Sequence, residues 1–376
     1  IIFALSYNML LGQAGMLSFG HAVYSGLGAF CAVHALNYAG RAGLWLPLPL
    51  LPLVGGFAGL VFGALFGYVT TRRAGTTFAL ISLGIGEMVF ACVLMFPGFF
   101  GGEGGISTDR TAATPFFGLK FGPAIQVYYL VAAWCLACMA AMYRLTQTPL
   151  GRMANAVRDN PERAEFVGYN TQRVRFLQLV LSAFFAGVSG ALSCINFEIV
   201  SAENVSAIRS GGVLLATFIG GVPFFFGPII GAVVFVFFIA ALSGFTQAWL
   251  LYLGLFFVLM VLYAPGGIAS LGVMLVHAIR SGRGRELALP CAAAIAAGVV
   301  ALAGLVGIVE MVYRLSEPGA SSDIVLYGLN LNVRSAPPWL GFAVVFAAGL
   351  AVLRPASMRV GERWGAIAAA AKEGAA

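Results

Sequence analysis

Apolar runs of helical span length recur along nearly the whole chain, separated by short stretches that carry arginine or glycine. A helix crossing the hydrocarbon core needs about 20 apolar residues. Such runs are read at about 1–11 (partial), 15–37, 46–70, 75–97, 124–145, 174–196, 212–242, 246–264, 288–312 and 338–354. Only 9% of the 376 residues are charged and 60% are hydrophobic, whereas a soluble domain carries roughly 25% charged residues. That balance excludes a cytosolic enzyme, a disordered chain and a nucleic-acid reader. The apolar residues come in runs rather than in alternation, which excludes a spanning barrel. The expected fold is an all-α polytopic membrane protein with about 8–10 transmembrane helices, one of them broken or re-entrant.

The 212–242 run is too long for one straight span. Gly220-Gly221-Val222-Pro223 and Gly227-Pro228 should divide it into a short and a longer piece. Broken helices at membrane depth survive where they line protein or a water-filled cavity, so Gly220 and Gly221 are candidates for a translocation pathway. The opening run, Ile1 to Leu11, is too short to span, and the expectation is a truncated N-terminus that lacks an upstream span.

The formal charge is +7, and arginine supplies 19 of the 21 positive side chains. Most arginines lie between apolar runs, where they hold loops in the cytoplasm; no nucleic-acid partner is implied. Between Arg144 and Arg175 there are six arginines and three acids, which makes 146–173 a cytoplasmic loop and puts Arg72-Arg73 on the same side. The Gly-rich stretch 98–123 suits the outer face. Residues 265–287, with Arg280, Arg283 and Arg285, read as a further cytoplasmic loop, which requires three crossings or one re-entrant piece between 197 and 264. From about 286 the texture changes: an appended region, 286–376, holds two further transmembrane helices, a polar link with Glu317, Asp323 and Arg334, and a basic tail.

Within 146–173 the helix signals are local. Thr148-Pro149 is an N-cap followed by proline at the first helical position, Asn160-Pro161-Glu162 repeats it with an acid in the first turn, and Gly168 stops the second helix. Two short helices follow, about 149–159 and 161–167. Met153 and Val157, with Ala154 beside them and Arg152 and Arg158 at the rims, form a small apolar face suited to a partner's groove. The competing reading is a solvated loop that only sets topology.

Polar groups inside apolar runs are functional hypotheses by default. Asn8, Ser18 and His21 lie among Gly12, Gly15 and Gly20, and Glu87 lies mid-span. Interhelical hydrogen bonding is the competing role for each. Gly55, Gly59, Gly63 and Gly67 recur every four residues and mark a face for close helix packing. Glu310, late in its span, is expected to reach the interface. Cys135-x-x-Cys138 falls mid-helix without a second ligand pair, so the six cysteines read as small hydrophobes and no metal site is expected. Three scattered histidines and no paired carboxylates leave no catalytic constellation, and no G-x-x-x-x-G-K-[ST] phosphate loop is present.

Four segments together resemble one family. The loop from Thr148 to Asn170 is similar to the cytoplasmic loop of ABC importer permeases for branched-chain amino acids, with Phe166-Val167 as a departure toward larger residues. Leu5 to Ala22 resembles that family's N-terminal signature. Thr76 to Met88 with Gly102-Glu103-Gly104-Gly105, and Gly211 to Ala232 with Tyr263 to Ile268, resemble its later signatures, in order over about residues 3–270. The resemblance implies a permease domain over 1–285 and a non-catalytic transport subunit of a bacterial inner membrane. It implies ATPase docking by Gly151, Arg152, Ala154, Arg158, Asp159, Asn160, Ala164 and Gly168. Implied partners are two ATP-binding subunits carrying ATP and Mg, a second related permease and a periplasmic substrate-binding protein, in a lipid bilayer. The alternatives are a urea or amide permease of the same kind, or a secondary transporter or channel that needs no ATPase, with Glu87 and the broken 212–242 stretch as its sites.

Overall fold

The computed structural model describes residues 1–116, 118–280, 284–316 and 323–373, without the side chains of 277–280, 284–288 and 364–373. Arg283 and Glu317 therefore lie outside the described residues, as do the side chains of Arg280 and Arg285 and the end of the basic tail.

Helix α1 (Ile2–Asn8) continues as a five-residue π-helix, Met9–Gln13, and the chain then leaves helical geometry until α2 (Ala22–Ala42). The span expected to start at 15 starts at Ala22 instead. Gly15 has φ +65°, a left-handed conformation that ends the first helix there. Next come α3 (Leu51–Thr70), α4 (Gly75–Met95) and the single turn α5 (Pro97–Phe100). The Gly-rich stretch contributes β1 (Ile106–Ser107). Then follow α6 (Ala124–Gln147), α7 (Pro149–Asp159), α8 (Pro161–Phe166) and α9 (Thr171–Phe197). Strand β2 (Ile199–Val200) pairs antiparallel with β1, Ile106 opposite Val200. The chain continues through α10 (Ala207–Gly220), α11 (Gly227–Ala240), α12 (Trp249–Tyr263), α13 (Gly267–Arg280) and α14 (Gly284–Ser316). A hairpin, β3 (Asp323–Leu326) with β4 (Leu329–Asn332), leads into α15 (Ala336–Glu373).

Among the described residues seven helices are long and apolar enough to cross a bilayer, and α12 with α13, bent by 51° at their junction, adds an eighth crossing or a re-entrant loop. The protein is an all-α polytopic membrane protein. The 212–242 run does break, but into two helices of 14 residues each rather than a short and a longer piece. Gly221, at φ +117°, stops the first, and Gly227 opens the second. Residues 267–280 form helix α13 where a cytoplasmic loop was expected, because apolar residues continue from Ile268 to Val276 and the arginines come only at its end and beyond.

Two compact units partition the chain. The first comprises 1–236 with 257–269, the second 237–256 with 270–376. In the first unit α9 is the hub, buried along most of its length against α2 and α3. The glycine repeat of α3 faces it: a methyl group on Gly55 would come within 2.6 Å of Ala191 Cβ, and one on Gly63 within 2.6 Å of Ala183 Cβ. Gly28 of α2 meets Gly187 of α9 as closely, so three backbones converge with no side chain between them. Gly63→Leu is expected to force this seam open and cost about 1–3 kcal/mol, read as a lower unfolding midpoint in detergent. Gly84→Ala is the control, since its methyl meets nothing within 4 Å.

In the second unit α14 packs on α15 through Gly304, Gly307 and Gly349, which sit against Phe346, Phe342 and Ala301. Glu310 does not simply reach the interface. It accepts hydrogen bonds from Thr246 Oγ1 at 2.6 Å and Tyr252 OH at 3.0 Å.

Candidate functional site

The hairpin α7–α8 forms as its caps dictate. Thr148 Oγ1 accepts from Gly151 N–H at 3.3 Å, and Asn160 Oδ1 accepts from Arg163 N–H at 2.9 Å. At the far end Gly168 takes φ +92°. Gly168 N–H then donates to Glu165 C=O at 2.8 Å and Tyr169 N–H to Ala164 C=O at 3.1 Å, the paired bonds of a left-handed C-terminal cap.

The faces of the hairpin differ from the expectation. Ala154, Val157 and Ala164 are buried in a cluster with Leu10, Phe78, Val174 and Leu179, and Met153 packs against the same cluster. The apolar face of α7 therefore closes onto this chain's own core. Gly151, Ala154 and Ala164 are small because they are packed, and they have no surface to offer a partner. Arg152, Arg158, Asp159, Asn160 and Gly168 remain at the surface, joined by Phe166 and Val167, the hairpin's most exposed large apolar side chains at 92% and 72%.

Arg158 is not free. Its Nε donates to Asp159 Oδ1 at 2.8 Å, and its Nη1 donates to the carbonyl of Gly12. Gly15 lies against the arginine stem, where an added methyl would come 2.8 Å from Arg158 Cγ. The hairpin is thus tied to the irregular segment between α1 and α2.

That segment is held on several sides by polar side chains from the spans around it. Gln178 Nε2 donates to Met9 C=O and to Gln13 Oε1, both at 3.0 Å, and Ser182 Oγ donates to Ser6 C=O at 2.6 Å. Ser82 Oγ of α4 accepts from Phe19 N–H, and Ser210 Oγ of α10 from Ala22 N–H, each at 3.0 Å. Backbone groups in and beside the helix break are in this way satisfied by side chains. Gln178, Ser182, Ser82 and Ser210 went unremarked in the sequence reading. Gln178 and Ser182 are four apart on α9, a polar i, i+4 pair in an apolar run, and that spacing was the available signal.

Asn8, Ser18 and His21 are all buried in this region. His21 sits among Phe3, stacked at 5.4 Å, and Tyr7 and Tyr24, edge-on at 5.3 and 5.8 Å. Ser6 donates its hydroxyl to Phe3 C=O at 2.8 Å, so its oxygen accepts from His21 Nε2–H at 3.0 Å. Among the described residues His21 Nδ1 and Asn8 Oδ1 are buried without a partner.

Two further breaks meet this one. A methyl on Gly12 would come 2.6 Å from the carbonyl of Val222, in the break between α10 and α11. Gly221 in turn abuts the carbonyl of Gly266, and Gly267, at φ +70°, abuts Gly221. The breaks at 9–21, 221–226 and 264–266 therefore stack in sequence, with Arg158 at one end of the row. Glu87 stands apart. It lies on an exposed face of α4 with Gly84 and Met88 and has no hydrogen bond or ion pair among the described residues.

Comparison with known proteins gives this arrangement a setting. The chain is 29% identical to the high-affinity branched-chain amino acid transport system permease protein LivM of Escherichia coli, over 71% of this chain and 67% of that protein. The fructose import permease protein FrcC of Rhizobium meliloti is 26% identical over 49% of this chain and 53% of its own length. The probable branched-chain amino acid transport permease protein LivH of Methanocaldococcus jannaschii is 24% identical over 61% of this chain and 73% of its own. No solved structure matches the chain. The family model described as the permease component of the branched-chain amino acid transport system matches residues 1–265, which hold the hairpin and the first two helix breaks and reach into the third, and the chain belongs to that family.

Proposed function

We propose that this chain is the transmembrane permease subunit of an ATP-driven importer for branched-chain or related hydrophobic amino acids. It lies in a bacterial inner membrane with the 146–173 loop in the cytoplasm. The observation that carries this reading is the Arg158 tie: a capped surface hairpin is fastened directly to the first of three stacked helix breaks. Two separate ATP-binding subunits, holding ATP and Mg, grip the exposed side of the hairpin at Arg152, Asp159, Phe166 and Val167. Their nucleotide-dependent closure moves the hairpin, and the breaks bend in response. The shift requires that nucleotide favour one state over the other. A second, related permease completes the conduit, as the two differently named permease relatives, LivM and LivH, suggest. A periplasmic binding protein delivers the substrate.

Co-expression with a candidate ATP-binding subunit tests this. Wild type is expected to co-purify with it, and Arg152→Glu combined with Phe166→Glu to lose it. Uptake into proteoliposomes by this chain alone, or labelling of Asn155→Cys by an impermeant thiol reagent in intact cells, would overturn the reading.

Glu87 follows from the same proposal. A charged side chain at the centre of a lipid-facing helix costs roughly 2.5–3.5 kcal/mol, so its face is turned toward the second permease and the pathway. Glu87→Leu is expected to cut uptake about tenfold while leaving the unfolding midpoint of the isolated chain level or higher. Normal uptake by this variant means that the face looks into lipid.

A further inference from the structure

Beside the hairpin a cavity of about 600 Å³ opens between the turn after α3 and the start of α9, lined by Arg72, Glu165, Tyr169, Asn170, Thr171 and Arg175 among others. Positive charge converges on it. Two guanidiniums, of Arg72 and Arg175, face one carboxylate, Glu165, which is already engaged by Thr171 Oγ1 at 2.8 Å. The 27-residue α9 begins at this wall, so its dipole adds to the field. Asn170 takes the N–H groups of Arg173, through Oδ1, and of Val174, through its carbonyl. Those of Thr171 and Gln172 have no acceptor among the described residues. Guanidiniums with unclaimed N–H groups at a helix start make a site for a phosphate oxygen.

What carries the phosphate is indicated by the next turn down. The Arg72 guanidinium lies 4.5 Å from the centre of the Tyr68 ring. Phe57, Val61, Leu65 and Tyr68 are each more than half exposed. Their spacing puts them on one face of α3, a ridge that runs from the cavity mouth along the span. A soluble subunit's acid could pair with the arginines, but it would leave that ridge bare. A phospholipid satisfies both parts at once. We propose that this cavity binds the phosphate of an anionic phospholipid, with its acyl chains along the α3 ridge. The proposal requires only that α3 and α9 cross the bilayer, whatever the protein transports.

The test uses the full chain in neutral detergent, with bound lipid read by native mass spectrometry and the unfolding midpoint read in parallel. The probes are phosphatidylglycerol, phosphatidylcholine and inorganic phosphate. Phosphatidylglycerol is expected to be retained and to raise the midpoint, and phosphatidylcholine to do neither. Affinity should fall about fivefold for each of Arg72→Gln and Arg175→Gln, with binding kept by the Lys variants. Glu165→Gln removes the cavity's carboxylate and is expected to tighten phosphatidylglycerol binding about fivefold, a gain that misfolding cannot mimic. Unchanged retention in the double Gln variant overturns the proposal. Equal stabilisation by inorganic phosphate overturns the lipid as the source of the phosphate. Loss of a co-purified ATP-binding subunit from the double variant, with lipid binding intact, assigns the cavity to protein docking and overturns it as well.

Discussion

If the proposed function holds, replacing Arg158 with glutamine is expected to leave the proposed importer assembled and hydrolysing ATP while amino-acid uptake falls about tenfold, the size of effect that a residue on a coupling route can have. The reason lies in where the guanidinium goes. It reaches across 146 residues of sequence to the Gly12 carbonyl, and Gly15 rests on its stem. Glutamine keeps a polar tip but is too short to span that gap. Asp159 loses its ion pair with Arg158, but the exposed surface at Arg152, Phe166 and Val167 is untouched, so the ATP-binding subunits should still bind. What is lost is the tie that makes the first break follow the hairpin. Arg158→Lys, with a single flexible ammonium and no fork, should fall between the two. Uptake and ATP hydrolysis measured in the same proteoliposomes decide the matter. If the Gln variant loses its ATP-binding subunits, Arg158 is a docking residue as the family resemblance implied. If uptake is unchanged, the Gly12 contact carries no motion.

How much of this could be read from the amino-acid sequence depends on how local the physics is. The ends of α7 and α8 were legible to within a residue, because Thr148, Asn160 and Gly168 each act on backbone groups a few residues away. The α3 glycine seam was legible from spacing alone. The break at Gly221 was legible because Gly-Gly-Val-Pro cannot continue a helix. The orientation of α7 was not. Met153, Ala154 and Val157 make the same apolar stripe whether they meet a partner or, as they do, their own core. The start of α2 was hidden because Met16, Leu17 and Phe19 keep the run apolar while Gly15 has already left the helix. The β3–β4 hairpin escaped notice because its turn is Tyr327-Gly328, with φ +53° and +79°, rather than the Asn-Gly or Asp-Gly that usually announces one. The Arg158–Gly12 tie and the stacking of three breaks are contacts between distant segments, and no local pattern encodes them.

Gly221→Ala is expected to be strongly damaging to the first unit. At φ +117° and ψ +104° the residue occupies backbone territory that is essentially glycine's own, which costs about 1–3 kcal/mol for any other side chain. The methyl would also drive into the Gly266 carbonyl, a backbone atom that cannot swing aside, for about another 1–3 kcal/mol. Together these take a large share of the roughly 5–15 kcal/mol that holds a folded domain. The expected readout is a steep fall in the unfolding midpoint in detergent and little full-length protein in membranes. Gly211→Ala, in the same helix α10 with nothing within 4 Å of its added methyl, should behave as wild type. Gly267→Ala should resemble Gly221→Ala, since Gly267 has φ +70° and abuts Gly221. The double variant should lose less than the sum of the two, because both methyls open the same contact and the second has less left to disturb. Full additivity would mean that the α10–α11 and α12–α13 breaks are independent, and the stacked row of breaks proposed to bend with the hairpin would lose its last link.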